Sequence, residues 1–307
     1  MKLFKNAALL FLSIFQFKSV ATDFPSDLTE RTAIISAFPP EMTLLLSQAE
    51  DKHEYKINGH SFITATLDEE PVLLLVSGIS MINAAVNAQI AINRFNVKRI
   101  IFSGIAGGLS EELTMGDVCV PERWGNYSET IYAREIEPGK YDAYQSVIPP
   151  SGRDNFGMIY PRDTMLTSSS GDESRFWFDV DPYLFQIAQN LSGIHYQSRD
   201  TNGHSLAHPA KLIVGGNGIS GPIFMNNAKY REYLAQTYQA QVVDMETAAV
   251  AQLAYINQVP FIAFRSLSDL AGGGSSANEI DAFLHLAADN SAHTVRAFLQ
   301  ALLNDAP

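Results

Sequence analysis

Short aliphatic runs alternate with longer amphipathic segments along most of the chain. The aliphatic runs are rich in β-branched residues and end in Gly, Ser or Asp, which is typical of strands buried on both faces. They cover residues 32–36, 72–76, 99–103, 211–214, 241–243 and 261–266. Helical periodicity marks residues 81–95, 227–238, 246–257 and 281–303. This alternation predicts an α/β fold with three layers, α/β/α, around a central, largely parallel or mixed twisted sheet.

The pattern breaks down between about residues 125 and 182, where aromatic residues are scattered among Pro, Gly, Ser and Asp. A structureless connection of this length is uncommon inside a compact domain, and a disordered linker would carry fewer aromatic residues. We therefore expect residues 22–307 to form one domain with an ordered insertion at about 125–182 that serves function or an interface.

The first 21 residues follow the order of a signal peptide. Lys2 and Lys5 precede an apolar run over residues 7–17, and small residues follow at 19–21. This run is too short to span a bilayer, which needs roughly 20 residues; a buried N-terminal helix is the alternative. We expect residues 1–21 to be removed and the mature protein to be exported to a periplasm or to the outside. No later segment is apolar enough to anchor the chain in a membrane.

Composition narrows the range of partners. The 307 residues are 46% hydrophobic and 18% charged, as in globular proteins. The formal net charge is −12, and an acidic surface repels nucleic acid. The single cysteine, Cys119, excludes an intrachain disulfide and a cysteine-based zinc site. His204 and His208 have a metal-like spacing, but Pro209 follows and no carboxylate partner is evident, so no metal site is predicted.

Acidic residues stand where three predicted strands end. Glu41 follows the first strand, Glu246 follows the strand at 241–243, and Asp269 follows the last strand. Because ligands in such sheets bind beyond the carboxyl ends of the strands, we expect these acids to face one cleft together with Arg265. Small residues at 77–80 and 103–108 would let a ligand approach the backbone closely.

The same segments resemble those of the nucleoside phosphorylase and nucleosidase superfamily. The motifs are VDMETAAVA at 243–251, VPF at 259–261 and RSLSD at 265–269, with AIISA at 33–37, VSGI at 76–79, SGIAGGL at 103–109 and MGDV at 115–118 in support. Within the superfamily the chain is most similar to 5′-methylthioadenosine/S-adenosylhomocysteine nucleosidases. The insertion, the export signal and GDVCVPERW at 116–124 also resemble plant bark and vegetative storage proteins.

The resemblance implies a division of roles among the site residues. Cleavage of a purine N-glycosidic bond passes through a ribosyl cation-like state, so the base must be protonated and a nucleophile delivered to the opposite face. Asp269 would protonate purine N7, and Glu41 would hold and activate a water. The substrate-binding residues would be Glu246 and Met245 at the ribose, Phe224 against the base, Ile79, Ile105, Ala106 and Gly107 along the wall, and Arg265 and Ser268 beside the carboxylates. Of the last two, Arg265 would orient Glu41 or Glu246, and Ser268 would orient Asp269. No cofactor is implied; the partners are a nucleoside and water.

Hydrolysis is favoured over phosphorolysis by the charge of the first loop. Phosphorylases of this superfamily carry arginines there and on the strand before the Gly-rich turn, whereas this chain has Pro39, Pro40 and Glu41 in the loop and IIFS at 100–103. Two alternatives stay open: a phosphate-dependent purine nucleoside phosphorylase, and a non-catalytic storage or nucleoside-binding protein. The family also implies a homodimer, with the helix after Ser80 and part of the insertion at the interface.

Overall fold

The computed structural model describes residues 28–143, 151–168, 171–199, 203, 205–206, 208–274 and 278–305. The helices are α1 (Pro39–Gln48), α2 (Met81–Arg94), α3 (Pro182–Gln189), α4 (Ala228–Tyr238), α5 (Thr247–Asn257) and α6 (Ile280–Asp305). The strands are β1 (Arg31–Ser36), β2 (Glu50–Ile57), β3 (His60–Leu67), β4 (Glu70–Val76), β5 (Val97–Gly108), β6 (Val118–Val120), β7 (Arg123–Asn126), β8 (Thr130–Tyr132), β9 (Arg134–Glu137), β10 (Lys140–Asp142), β11 (Ile159–Pro161), β12 (Thr164–Ser168), β13 (Gly171–Arg175), β14 (Trp177–Asp179), β15 (Leu212–Val214), β16 (Asn217–Ser220), β17 (Ala240–Asp244) and β18 (Phe261–Asp269). The predicted signal peptide at 1–21 and His204 lie outside the described residues.

A mixed sheet forms the middle layer of the fold. Its strands run in the order β14-β7-β16-β17-β5-β1-β4-β3-β2, and β18 joins β5 to the short strands β6 and β15. β5 runs parallel to both β1 and β18, so the carboxyl ends of these three strands lie at one edge. The hairpin partners β2, β3 and β4 are antiparallel. The predicted α/β fold with a central mixed sheet is confirmed.

Helices cover both faces of this sheet. On one face, α2 and α5 bury small side chains such as Ala88 and Ala251. On the other face, α1, α3 and α6 bury larger ones, including Leu45 and Phe298. Each large apolar side chain removed from water in this way stabilises the fold by about 1.5–3 kcal/mol. Within the described residues, no helix combines the length and apolar character that crossing a membrane requires.

β5 continues through the Gly-rich segment that the sequence predicted to be a turn. The strand ends at Gly108 rather than at residue 103, and its last residues pair with β17. Gly104 lies where a Cβ atom would overlap the Glu41 carboxylate and the Arg265 guanidinium. The prediction of a turn was therefore wrong, because the small residues admit these two side chains beside an extended strand. β18 is likewise longer than predicted and ends at Asp269.

The sequence prediction missed the hairpin of β2 and β3. β2 is mostly exposed and highly charged, so it shows no apolar alternation. Asn58 and Gly59 connect the two strands with φ values of 52° and 84°, and two consecutive positive φ values are typical of a type I′ hairpin turn. The Asn-Gly pair was the signal that could have revealed the hairpin.

The predicted insertion is tied to the central sheet at both ends. β7 pairs with β16, and β14 returns to pair with β7. Between them, the described residues form the antiparallel pairs β8–β11, β9–β10 and β12–β13. Phe178 on β14 is fully buried in the core, so the chain rejoins the core before residue 182.

Candidate active site

A cavity of about 230 Å³ opens where β1, β5, β17 and β18 end. Glu41, Glu246 and Asp269 all line it, so the three acids expected in one cleft do converge. The other predicted residues on its wall are Met245, Ser268, Phe224, Ile79, Ile105, Ala106 and Gly107. Wall residues that the sequence did not single out as site residues include Phe38, Asp244, Ile223, Met225, Ile280 and Leu284.

Glu41 is held in the first turn of α1. Pro39 and Pro40 open the helix, and proline is well suited to a first turn, where its missing N–H is not needed. The Glu41 carboxylate is 2% exposed and accepts hydrogen bonds from the backbone N–H of Ala37 at 2.6 Å and of Ile105 at 2.8 Å. Burial raises the pKa of Glu41, and the nearby arginine and these amides oppose the rise. The carboxylate is therefore fixed in direction as well as buried.

Glu246 stands immediately before α5 and reaches across the cavity to the start of α2. Its Oε1 accepts a hydrogen bond of 2.7 Å from the backbone N–H of Ser80, a residue with a φ of 83°. Burial, followed by the Asp244 carboxylate, raises the pKa of Glu246 to about 7 against the opposing effect of Arg265. Met245 precedes Glu246 and places its thioether on the same wall.

Arg265 lies behind the carboxylates rather than on the cavity wall. Its side chain is fully buried and is not among the described residues that line the cavity. Its Nη1 is 3.6 Å from Glu41 Oε1, and its Nη2 is 3.7 Å from Glu246 Oε2. The guanidinium is walled off from the cavity, so Arg265 lies beside both glutamates, where the sequence placed its orienting role. It does not lie among the lining residues of the described chain that could contact a substrate, as its grouping with the substrate-binding residues had implied.

Asp244 is the residue of this cluster whose importance sequence reasoning missed. Its Oδ2 is 2.8 Å from Arg265 Nε, and its Oδ1 accepts the Ser220 hydroxyl at 2.5 Å and the backbone N–H groups of Glu246 and Thr247 at 3.1 Å. The Thr247 hydroxyl also donates to Asp244. An aspartate three residues before the first residue of a helix was the available signal, since such side chains bind the first helical amides.

Asp269 ends β18 with its carboxyl group 4% exposed. The Ser268 hydroxyl donates to its Oδ2 at 2.9 Å, which is the contact expected from the sequence. Its Oδ1 accepts the Ala271 amide at 2.8 Å and the Asn278 side-chain amide at 3.3 Å. Burial raises the pKa of Asp269, and these hydrogen bonds partly offset the rise. Sequence reasoning did not identify Asn278, which lies beyond a Gly-rich stretch.

The wall of the cavity is apolar except for the carboxylates and Ser268. Gly107 lets the strand pass close to the acid, since a Cβ atom there would be 3.2 Å from Asp269 Oδ1. Ile79 and Phe224 are 50% and 51% exposed and stand at the mouth. No lysine or arginine is among the lining residues of the described chain. Such a cavity suits an uncharged ligand that carries hydroxyl groups and a flat apolar ring, and it repels anions.

Comparisons with known proteins match most of the chain. The model of the phosphorylase superfamily matches residues 31–300. The chain is 27% identical over 270 residues to the 5′-methylthioadenosine/S-adenosylhomocysteine nucleosidase of Staphylococcus epidermidis, covering 88% of this chain and 99% of that protein. It is 28% identical over 263 residues to the protein of the same name from Oceanobacillus iheyensis, covering 85% and 95%. The crystal structure of the Neisseria meningitidis nucleosidase with methylthio-immucillin-A shares the fold with a TM-score of 0.65 and 23% identity, covering 89% of this chain and 100% of that one.

Proposed function

The chain belongs to the phosphorylase superfamily, and we propose that it hydrolyses the N-glycosidic bond of adenine nucleosides. The proposed substrates are of the 5′-methylthioadenosine/S-adenosylhomocysteine type, after which its relatives are named. The observation that carries the proposal is the convergence of Glu41, Glu246 and Asp269 on one cavity. Glu41 supplies the general base for water, Glu246 the ribose-binding carboxylate, and Asp269 the general acid that such a reaction needs.

Asp269 is the proposed general acid. As the bond between purine N9 and ribose C1′ breaks, its electron pair moves into the purine ring, and Asp269 donates its proton to N7 so that the base leaves neutral. Burial raises the pKa of Asp269 and so favours the protonated form, which is the form that a general acid needs. Ser268 and Asn278 hold it in place.

Glu246 and Met245 are proposed to hold the ribose. The Ser80 amide occupies Oε1 of Glu246, and Oε2 is the oxygen left to accept hydrogen bonds from the ribose hydroxyls. Bonds to an ionised carboxylate are stronger than those to a neutral acceptor. The Met245 thioether packs against the sugar, since a flexible, polarizable side chain fits an irregular surface.

Glu41 is proposed to orient and activate the water. The water oxygen attacks C1′ on the face opposite the base and passes a proton to Glu41, which leaves a sugar with a free anomeric hydroxyl. Phosphate would compete for this position, but the described residues of the lining offer it carboxylates and no lysine or arginine. Hydrolysis is therefore preferred to phosphorolysis.

Product analysis tests the proposed reaction. Purified protein is incubated with methylthioadenosine, S-adenosylhomocysteine, adenosine and inosine, with and without phosphate. We expect adenine to be released from the thionucleosides in either buffer. Release only with phosphate would favour the phosphorylase alternative, and no release from any substrate would favour storage or binding.

We also propose that the protein is a homodimer. Ile82 and Val86, four residues apart on one face of α2, are 78% and 52% exposed beside Ile79 at the cavity mouth. An exposed apolar patch of this kind favours an interface. Light scattering should give a dimer for the wild type and a monomer for Ile82→Glu, whereas a monomeric wild type would contradict the proposal.

Export is proposed from residues 1–21 alone, which have the charge and hydropathy order of a signal peptide. N-terminal sequencing of protein recovered from the periplasm or the medium should begin at residue 22. Protein found only in the cytoplasm with Met1 in place would contradict export.

A further inference from the structure

We propose that the insertion positions the base-binding wall of the cavity, with Tyr127 fixing one end of the wall and Phe156 the other. This inference rests on the proposed function, because it concerns how the substrate base is bound. The wall segment is defined as residues 221–227, which connect β16 to α4. It contributes Ile223, Phe224 and Met225 to the cavity lining.

The wall segment has little regular structure of its own. It lies in neither a helix nor a strand, and Ile223 and Phe224 are 47% and 51% exposed. The Gly221 amide donates to the Asp244 carbonyl at 3.1 Å and the Ile223 amide to the Gly221 carbonyl at 2.7 Å. A segment with so few backbone bonds depends on packing at its ends for a fixed conformation.

Tyr127 packs on the first residue of the wall segment. Its amide donates to the Ser220 carbonyl at 3.0 Å, and its ring lies so close to Gly221 that a Cβ atom there would be 2.7 Å from Tyr127 Cζ. The side chain is 1% exposed and belongs to the same apolar cluster as Met225. The start of the insertion therefore covers the start of the wall.

Phe156 packs just beyond the other end of the wall segment. Its ring meets Tyr230 edge to face at a centroid distance of 4.9 Å and Tyr233 at 5.2 Å. The Tyr230 amide donates to the Asn227 side chain, the last residue of the wall, at 2.9 Å. The Tyr233 hydroxyl donates to the Asp154 carbonyl at 2.9 Å. A second part of the insertion thus holds the beginning of α4.

The two ends meet in one aromatic cluster, since Tyr127 and Tyr230 lie edge to face with centroids 6.4 Å apart. A wall that is already fixed loses less conformational entropy when a base stacks on Phe224. Loosening the cluster should therefore weaken substrate binding. Asp269 on β18 and Glu41 at the start of α1 are held by contacts outside this cluster, so kcat should be largely retained.

Alanine substitutions in the cluster test this inference. We expect Tyr127→Ala and Phe156→Ala each to raise KM about tenfold while kcat stays within about threefold of wild type. Hydrogen exchange should become faster at the backbone N–H groups of the wall segment, of which Pro222 has none, and at the beginning of α4, but not in the rest of the described chain. Phe156 is half-buried, so its variant keeps the test available if Tyr127→Ala does not fold.

Two control variants separate wall positioning from general effects. Tyr127→Phe retains the ring and removes a buried hydroxyl that has no hydrogen-bond partner among the described residues, so KM should match wild type. Ile136→Ala changes a side chain that is 61% exposed on β9 of the same insertion, and it should also leave KM unchanged.

Unchanged KM and unchanged exchange in both alanine variants would overturn the inference. Exchange that rises evenly over the whole chain would overturn it too, because that pattern reports global destabilisation. If the wild type released no base, the proposed function would fail, and exchange at 221–227 would still decide whether the insertion holds the wall.

Discussion

The Arg265 guanidinium makes its closest ion pair with Asp244, and not with either glutamate of the cavity wall. Arg265 Nε is 2.8 Å from Asp244 Oδ2, whereas the distances to Glu41 and Glu246 are 3.6 Å and 3.7 Å. Asp244 therefore holds the Arg265 guanidinium at a position from which its charge attracts both glutamates without a close ion pair to either of them. Glu246 Oε2, the oxygen that the Ser80 amide does not occupy, therefore stays available for the ribose.

Asp244→Ala should release this anchor. Arg265 would then move onto a glutamate and block a substrate oxygen, so we expect KM to rise about tenfold and the free energy of unfolding to fall by about 3 kcal/mol. Steady-state kinetics and urea unfolding measure the two effects. Asp68→Ala is the matched control, since it breaks the Arg296–Asp68 pair of 2.6 Å on another part of the fold and should leave KM unchanged. Wild-type KM in Asp244→Ala would show that the glutamates do not depend on this anchor.

Asp269→Asn should abolish most turnover while substrate still binds. The amide keeps the shape and can keep the hydrogen bond from Ala271, but it cannot give a proton to N7, so kcat should fall about 10²–10⁴-fold. Calorimetric titration with substrate and a single-turnover assay separate binding from chemistry. Glu279→Gln, a nearby acid outside the cavity lining of the described chain, should retain kcat. Undiminished kcat in Asp269→Asn would remove this residue from the acid role.

The free energy of unfolding of the wild type should fall between mildly acidic and neutral pH, and Glu246→Gln should make this fall smaller. Folding raises the pKa of Glu246 from 4.5 to about 7, so its contribution to stability is full below pH 4.5 and is lost as the pH rises through about 7. Burial also raises the pKa of Glu41 and of Asp269, so these two groups change stability with pH in the same direction as Glu246.

Urea unfolding from about pH 5 to about pH 8 measures this dependence. The free energy of unfolding should decline less in Glu246→Gln than in the wild type. Glu111→Gln, which changes an exposed loop residue, is the control and should show the same decline as the wild type. A wild type whose stability increases over this range would contradict the expected buried carboxyl groups.

Gly104→Ala should lower the rate of the reaction, because it adds one carbon atom beside the Glu41 carboxylate. Its Cβ would overlap both the Glu41 carboxylate and the Arg265 guanidinium, and a displacement of about 1 Å at a reacting group can cost about 10²-fold in rate. Gly59→Ala is the control, because that Cβ enters open space at a φ of 84° and should cost about 1 kcal/mol of stability without loss of activity. Full activity in Gly104→Ala would indicate that Glu41 need not occupy its observed position.

The convergence of Glu41, Glu246 and Asp269 could be predicted because each follows an apolar strand whose end is readable from the sequence. Parallel pairing with β5 brings the ends of β1 and β18 to one edge. β17, which precedes Glu246, pairs antiparallel with the last residues of β5, and this pairing was not predicted. The lengths of β5 and β18 could not be read in the same way. Gly104 is extended because two side chains from distant parts of the chain pass beside it, and local propensity does not record such contacts.

Other elements of the fold could be recognised only from turn and helix-capping residues, because hydrophobic periodicity does not mark them. β2 is exposed and charged, so only its Asn-Gly turn indicated a strand pair. α3 was not predicted, because it is too short to show a clear helical period. Asp181 and Pro182 were the available signal for its start, since the Asp181 side chain accepts hydrogen bonds from the backbone N–H groups of Tyr183 and Leu184. Arg265 was expected among the substrate-binding residues, where it would also orient Glu41 or Glu246. Its burial behind the wall follows from pairing with Asp244, which only the packed structure reveals.

Identification of the sugar product tests the central claim most directly. Purified protein is incubated with methylthioadenosine in phosphate buffer, and the products are separated by mass. Attack by water held at Glu41 predicts one adenine for each free methylthioribose, the same products without phosphate, and loss of both in Glu41→Gln. A sugar 1-phosphate as the main product, or undiminished adenine release by Glu41→Gln, would contradict hydrolysis at this site.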